Sequence, residues 1–163
     1  MIRIVLIRHA KAEEQSYYGD DYSRKLISKG IEKAENIANK LYKYNLPKGT
    51  FISSPAPRAY DTAKIFAKCF DYPLDKIITS DLLYQFFTPA SFISNILPLC
   101  DNDFTIYVFG HNPMLYDLAN YFSPYRINGF PKTAVMGYEF DCDNYNCINE
   151  NTGKQFLFIN PKK

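Results

Sequence analysis

The stretch Ile2-Arg3-Ile4-Val5-Leu6-Ile7-Arg8-His9-Ala10-Lys11 decides how the rest of this chain is read. Residues 4–7 are apolar and rich in β-branched side chains, and the run is much too short to cross a membrane. It predicts a strand buried on both faces, as in a parallel sheet covered by helices. The run stops at Arg8 and His9. In open α/β sheets, ligands bind beyond the carboxyl ends of the strands, which is where these two residues fall. Arginine presents a planar fork of donors that matches an anion, and an unprotonated histidine nitrogen is a nucleophile near neutral pH. Side by side they point to a place that holds a phosphate and attacks it. A strand end that merely carries polar side chains to water is the plainer alternative.

Outward from this stretch, strand and helix patterns alternate. Residues 10–25 are polar and include Tyr17-Tyr18-Gly19-Asp20-Asp21. They are expected as a long loop over the strand end, and loops of that length are often functional. Ile31, Ala34, Ile37, Ala38 and Leu41 then recur at helical spacing behind Ser28. Ser28 and Glu32 only approximate a capping pair, Gly30 weakens the first turn, and Pro47-Lys48-Gly49 ends the element. Residues 50–53 predict a second strand that runs into Ser54-Pro55-Ala56-Pro57-Arg58. Prolines suit a first helical turn, so a helix is expected over about 55–69, with Ala59, Ala63, Ile65, Phe66 and Phe70 inward. Arg58 then lies in that first turn, where a cation opposes the helix dipole unless an anion sits beside it. Taken alone, it reads as a surface arginine.

Residues 76–79 predict a third strand and 91–97 a helix entered after Thr88-Pro89. Residues 104–109 predict another buried strand, which ends at Gly110-His111-Asn112-Pro113. Asparagine is a strong N-cap and proline a favoured first helical residue, so a helix should begin here, with Met114, Leu115, Leu118, Ala119 and Phe122 inward. Holding a loop would account for His111 by itself, but the chain has only two histidines and both follow a predicted strand end. Residues 134–140 and 155–159 predict two last strands with no helix between them, which should pair antiparallel across the polar segment 141–153. The alternation argues for a three-layer α/β domain.

Composition narrows the classes. A single domain over 1–163 is the simplest organisation, and a hydrophobic content of 47% is enough for a core. A net charge of +2, with no basic run beyond Lys162-Lys163, gives no reason to expect nucleic acid or a membrane surface as partner. No stretch reads as a signal peptide or membrane span, so a cytoplasmic location is expected. The four cysteines, Cys69, Cys100, Cys142 and Cys147, form no CxxC pair and have no histidine close in sequence, so no metal site is read. Cys142 and Cys147 could meet across a turn, but free thiols are expected. There is no P-loop and no GxGxxG.

Four separated features now stand in order: Arg8-His9, Arg58 within Ser53-Ser54-Pro55-Ala56-Pro57-Arg58-Ala59, His111 within Gly110-His111-Asn112-Pro113, and the α/β alternation between them. Over nearly the whole chain this set resembles the histidine phosphatase superfamily, also called phosphoglycerate-mutase-like, and within it the small SixA-type phosphohistidine phosphatases. The resemblance implies a three-layer α/β/α fold with a mixed, mostly parallel six-stranded sheet and no large cap insertion. It implies His9 as a nucleophile that is transiently phosphorylated, with Arg8, Arg58 and His111 completing the phosphate pocket. No cofactor and no metal are implied. Ala10 stands where most of the superfamily has glycine, a change also typical of the SixA-like branch. The segment Leu82-Leu83-Tyr84-Gln85-Phe86-Phe87 lacks the glutamate that many relatives use as general acid. Glu13, Asp20 and Asp21 are fallback acids, for which solvated loop carboxylates are the preferred reading.

The missing acid bears on the substrate. An alkoxide leaves poorly without a proton, whereas a phosphorylated imidazole can leave protonated near neutral pH. Phosphohistidine in a protein therefore fits better than a sugar phosphate, and an uncapped, shallow pocket would suit a folded protein substrate. A general small-molecule phosphomonoesterase and a non-catalytic phosphoprotein-binding module are the alternatives. Lys11 and Arg24 are read as surface charge, with docking of an acidic or phosphorylated partner as the other option.

Overall fold

The computed structural model describes residues 1–16 and 18–162; Tyr17, in the expected loop, and Lys163, at the expected loose end, lie outside the described residues. Strands β1 (Ile2–Arg8), β2 (Thr50–Ser53), β3 (Ile78–Thr79), β4 (Thr105–Gly110), β5 (Val135–Phe140) and β6 (Lys154–Ile159) form one sheet in the order β3-β2-β4-β1-β5-β6. β1, β2, β3 and β4 run parallel, and β5 runs antiparallel to both β1 and β6. The sheet is thus mixed and mostly parallel, and the last two strands pair antiparallel as their lack of an intervening helix requires.

Side-chain alternation along the central strands builds two cores. Ile2, Ile4 and Leu6 of β1, with Ile106 and Val108 of β4, face one side. There they pack with Phe92, Ile96 and Leu97 of a helical stretch and with Leu115, Leu118 and Phe122 of α4 (Met114–Phe122). Val5, Ile7, Tyr107 and Phe109 face the other side, against Ile37 and Leu41 of α1 (Ser28–Tyr42) and Ala63 and Phe66 of α2 (Pro57–Cys69). This is the three-layer α/β/α architecture. β1 reads as a continuous apolar run because both of its faces are covered.

Several elements differ locally from their sequence expectation. The third strand is only Ile78–Thr79, because Leu74–Lys76 forms a 3-10 turn before it. The helix expected over 91–97 is composite: α3 (Pro89–Ser91), a π-helical turn over Phe92–Ile96 and a 3-10 turn over Leu97–Cys100. Thr88 and Ser91 supply a reciprocal capping box at its start. Asn112 does not cap α4. Its Nδ2 donates instead to the Phe130 carbonyl at 2.9 Å, and Pro113 occupies the cap position. Free thiols were expected at 142 and 147, but the turn at Tyr145–Cys147 brings Cys142 and Cys147 together as a disulfide; Cys69 and Cys100 are free.

Gly30 is a packing requirement and not merely a weak point in α1. A Cβ there would overlap the Lys11 carbonyl oxygen, which also accepts a hydrogen bond from Ile27 N at 3.1 Å. The first turn of α1 is thereby pressed against the segment that follows His9.

Candidate active site

Sheet register gathers the site. Arg8 of β1 is level with Gly110 of β4, and Ser53 of β2 is level with Phe109. The three carboxyl ends therefore stop side by side, and the residues that follow them meet. His9 N donates to the Gly110 carbonyl at 3.1 Å, and Ser54 N to the Phe109 carbonyl at 3.0 Å. Beyond these ends stand His9, His111 and Ser54, and the first turn of α2 contributes Arg58. The two imidazole rings lie 5.1 Å apart, centre to centre. His9, His111 and Arg58 are each only 5% exposed.

His9 has a defined tautomer. Its Nδ1 lies 2.8 Å from the Ala10 carbonyl oxygen, which can only accept, so Nδ1 carries the proton and Nε2 keeps a free lone pair. Burial pushes its pKa down to about 3, and the charges of His111, Arg58 and Arg8 act in the same direction against the opposing Ala10 hydrogen bond. His111 is pushed down to about 4, by burial first and then by Arg58. Its Nε2 shares a 2.8 Å hydrogen bond with Ser54 Oγ. Both rings are thus neutral at pH 7.

The arginines are held, yet not satisfied. Arg8 Nη1 donates to the Phe130 carbonyl at 3.0 Å. Arg58 Nη1 and Nη2 donate to Asp21 O at 2.7 Å and to Asp21 Oδ2 at 2.8 Å. Among the described residues, four buried side-chain nitrogen or oxygen atoms have no hydrogen-bond partner: Arg8 Nε, Arg58 Nε, His111 Nδ1 and Asn112 Oδ1. All four belong to this cluster or its neighbour in sequence. Buried polar groups are nearly always paired, and leaving one unpaired costs about 1–3 kcal/mol. Three unpaired nitrogens on residues clustered with His9 leave donors available to an oxygen-bearing ligand.

Of the fallback acids, only Asp21 reaches the cluster. Its Oδ1 accepts from Arg24 Nη1 at 2.9 Å, and its Oδ2 accepts from Arg58 and, at 3.1 Å, from Tyr84 Oη. Burial raises its pKa, but the hydrogen bonds from Arg24 and Arg58, the Arg58 charge and the Tyr84 hydroxyl outweigh that and hold it at about 2. Asp21 is therefore an ionised, partly exposed carboxylate tied to Arg58, Arg24 and Tyr84, and not the unpartnered loop carboxylate expected from sequence. Glu13 and Asp20 lie in loop hydrogen bonds instead, accepting from Lys25 N and Ser23 N, both at 2.8 Å. Arg24, read as surface charge, is tied to Asp21 and to the Glu13 carbonyl. The pocket expected to be shallow holds imidazoles that are nearly buried, with the Asp21 loop reaching to Arg58.

Two contributors escaped the sequence reading. Thr62 Oγ1 accepts from Ala10 N at 3.0 Å and donates to the Arg58 carbonyl at 2.7 Å, coupling the segment after β1 to α2. Its signal was a polar residue on an apolar helix face, four positions after Arg58. Tyr84 lies in the segment noted for its missing glutamate, its ring centre 5.6 Å from that of His111 and 5.9 Å from Arg58 Cζ. Among the described residues, no group of three or more metal-ligating side chains occurs, and no helix is long and apolar enough to cross a membrane.

Two histidines and two arginines thus stand at the carboxyl edge of the sheet, a donor set suited to an oxyanion. The family described as histidine phosphatase superfamily (branch 1) matches residues 4–83. The chain has the phosphoglycerate-mutase-like fold, and that family model covers its first strand through the segment around Leu83. Among solved structures it is similar to the phosphohistidine phosphatase SixA structure from Agrobacterium tumefaciens, with 21% identity, 98% of each chain covered and a TM-score of 0.80. It is similar to a protein histidine phosphatase SixA complexed with tungstate, with 17% identity, 99% and 98% covered and a TM-score of 0.82. It is also similar to a mycobacterial glucosyl-3-phosphoglycerate phosphatase, with 13% identity, 96% and 97% covered and a TM-score of 0.72. These likenesses show the fold. No curated protein matches the chain by sequence.

Proposed function

We propose that this protein, acting as a single uncapped domain, removes phosphoryl groups through a phosphohistidine intermediate on His9, and that its substrate is phosphohistidine in a protein. One observation carries the reading: a neutral His9 with Nδ1 bound to the Ala10 carbonyl and Nε2 free, in a cluster whose Arg8, Arg58 and His111 each keep a buried nitrogen without a partner. The SixA structure solved with tungstate, a tetrahedral oxyanion, has the same fold and supports it.

The His9 Nε2 lone pair forms a bond to phosphorus while the bond from phosphorus to the substrate's leaving nitrogen breaks. Phosphoryl transfer depends chiefly on position and charge stabilisation. Arg8 and Arg58 offer fixed positive charge to the equatorial oxygens. As the anion enters, His111 gains a favourable partner and takes up a proton. Water then attacks phosphorus, the bond to Nε2 breaks and inorganic phosphate leaves. The ionised Asp21 has no proton to give, and no other carboxylate joins the cluster among the described residues. An imidazole that departs already protonated needs no donor, and this favours phosphohistidine over an alkyl phosphate.

A small-molecule phosphomonoesterase is the second reading, favoured by the near burial of His9 and His111. Rapid quenching with labelled phosphohistidine peptide tests the intermediate. The wild type should carry an acid-labile, base-stable label that His9→Ala lacks, and His9→Ala should lose turnover by at least about 10⁴-fold. Label on His9→Ala would defeat the mechanism. Faster turnover of a phosphosugar than of phosphohistidine, at equal concentration, would defeat the substrate assignment.

A further inference from the structure

Arg8 also lines a groove of about 720 Å³ whose other charged walls are Lys11, Lys29, Lys33, Lys132 and Lys162. These come from four parts of the chain: the segment after β1, α1, the loop before β5 and the residues after β6. No aspartate or glutamate lines the groove. The whole chain carries a net charge of only +2, so six cations in one groove reflect local concentration and not a generally basic surface.

All five lysines stay at the surface, and none has a carboxylate partner within ion-pair distance among the described residues. Lys33 Nζ donates to the Pro161 carbonyl at 3.0 Å, which ties α1 to the residues after β6. Lys29 sits in the first turn of α1, where the helix dipole disfavours a cation, and that turn holds no acidic residue. The ammonium of Lys132 is disfavoured by burial first, and by Arg8, Arg24 and Lys11; Glu14 is the carboxylate whose charge opposes them. A negatively charged partner would relieve repulsion of this kind.

We infer that this groove is a docking track for an acidic segment of the protein that carries the phosphoryl group. The inference rests on the substrate reading above and extends it to a surface next to the site. Lysines are hydrated point charges on flexible stems, without the fixed fork that grips one phosphate. Such a set steers and orients a carboxylate-bearing surface, and it acts mainly on encounter and specificity. The groove is also too large for one phosphate group. It meets the site at Arg8, the residue before His9, whose guanidinium is anchored by the Phe130 carbonyl.

The test uses two synthetic peptides with one phosphohistidine each, identical except that four glutamates in the first are glutamines in the second. The wild type should favour the acidic peptide by about tenfold in kcat/KM at low salt, and the preference should collapse at high salt. The pair Lys29→Glu and Lys132→Glu should abolish the preference and leave turnover of phosphoramidate, which is too small to reach the groove, unchanged. The milder pair Lys29→Ala and Lys132→Ala should fall between. Fluorescence anisotropy with the unphosphorylated acidic peptide reads binding without chemistry. Equal binding by wild type and the charge-reversed pair overturns the inference, as does a short RNA of equal charge binding as tightly as the peptide. Peptide binding that depends on the lysines while phosphohistidine is not turned over leaves the groove standing and defeats only the substrate reading.

Discussion

His9 is kept unprotonated mainly by burial, and its reactive nitrogen is chosen by one hydrogen bond to the Ala10 carbonyl. These controls have a consequence for stability. An imidazole whose folded pKa lies below its ordinary 6.5 is protonated first in the unfolded chain. From 6.5 down to about 3 for His9, and to about 4 for His111, the unfolded state binds more protons, so stability falls as pH falls through that window. Asp21 adds a further loss as pH falls from its ordinary 3.8 toward about 2. The melting temperature should therefore drop from about pH 7 to about pH 4, and His111→Gln should flatten the drop. A wild-type profile flat over that range would contradict buried neutral imidazoles. Inorganic phosphate should raise the His111 pKa above about 4, because a nearby anion favours the imidazolium. Titration of the ring nitrogens by NMR, with and without phosphate, measures this.

At the scale of elements, the segment between β1 and α1 supplies an anion to the site before any substrate arrives. Asp21 holds two nitrogens of Arg58, so an entering phosphoryl group must share or displace it. Asp21→Asn should strengthen inhibition by inorganic phosphate about three- to tenfold, since the competing negative charge is gone. Weaker inhibition would mean that Asp21 organises Arg58 for the anion and does not compete with it. The packing of α1 against the segment after His9 makes a separate prediction. Gly30→Ala puts a methyl group into the Lys11 carbonyl and should cost about 1–3 kcal/mol in denaturant unfolding. Unchanged stability would show that α1 shifts freely, and with it the Lys29 and Lys33 wall of the groove.

Across the whole molecule, the site depends on two cores that hold the sheet between helices while its carboxyl edge carries the chemistry. Phe122 is fully buried and packs against Phe92, Tyr138 and Phe140, so it links α4, the composite helical stretch and β5. Phe122→Ala should destabilise the fold by about 3–5 kcal/mol. Below its lowered melting point, the surviving native fraction should keep its kcat, because the ring contacts of Phe122 are with core aromatics and not with His9 or His111. A kcat loss in fully folded protein would show that the α4 core sets the position of His111.

The sequence by itself determined the strand ends. An apolar run covered on both faces, stopping at Arg8-His9, and a second one stopping at Gly110-His111 place both histidines at a sheet edge, because burial pattern and strand period are local properties of the chain. The prolines before Arg58 likewise announced a helix start. Only the tertiary structure decided the rest. β4 lies between β1 and β2, a matter of long-range pairing, and this brings His9, Ser54 and His111 together. Asp21 pairs with Arg58 across 37 positions, and Lys11, Lys29, Lys132 and Lys162 share one groove. Charge at a distance in sequence carries no periodicity to read; its partners are set by how the layers close.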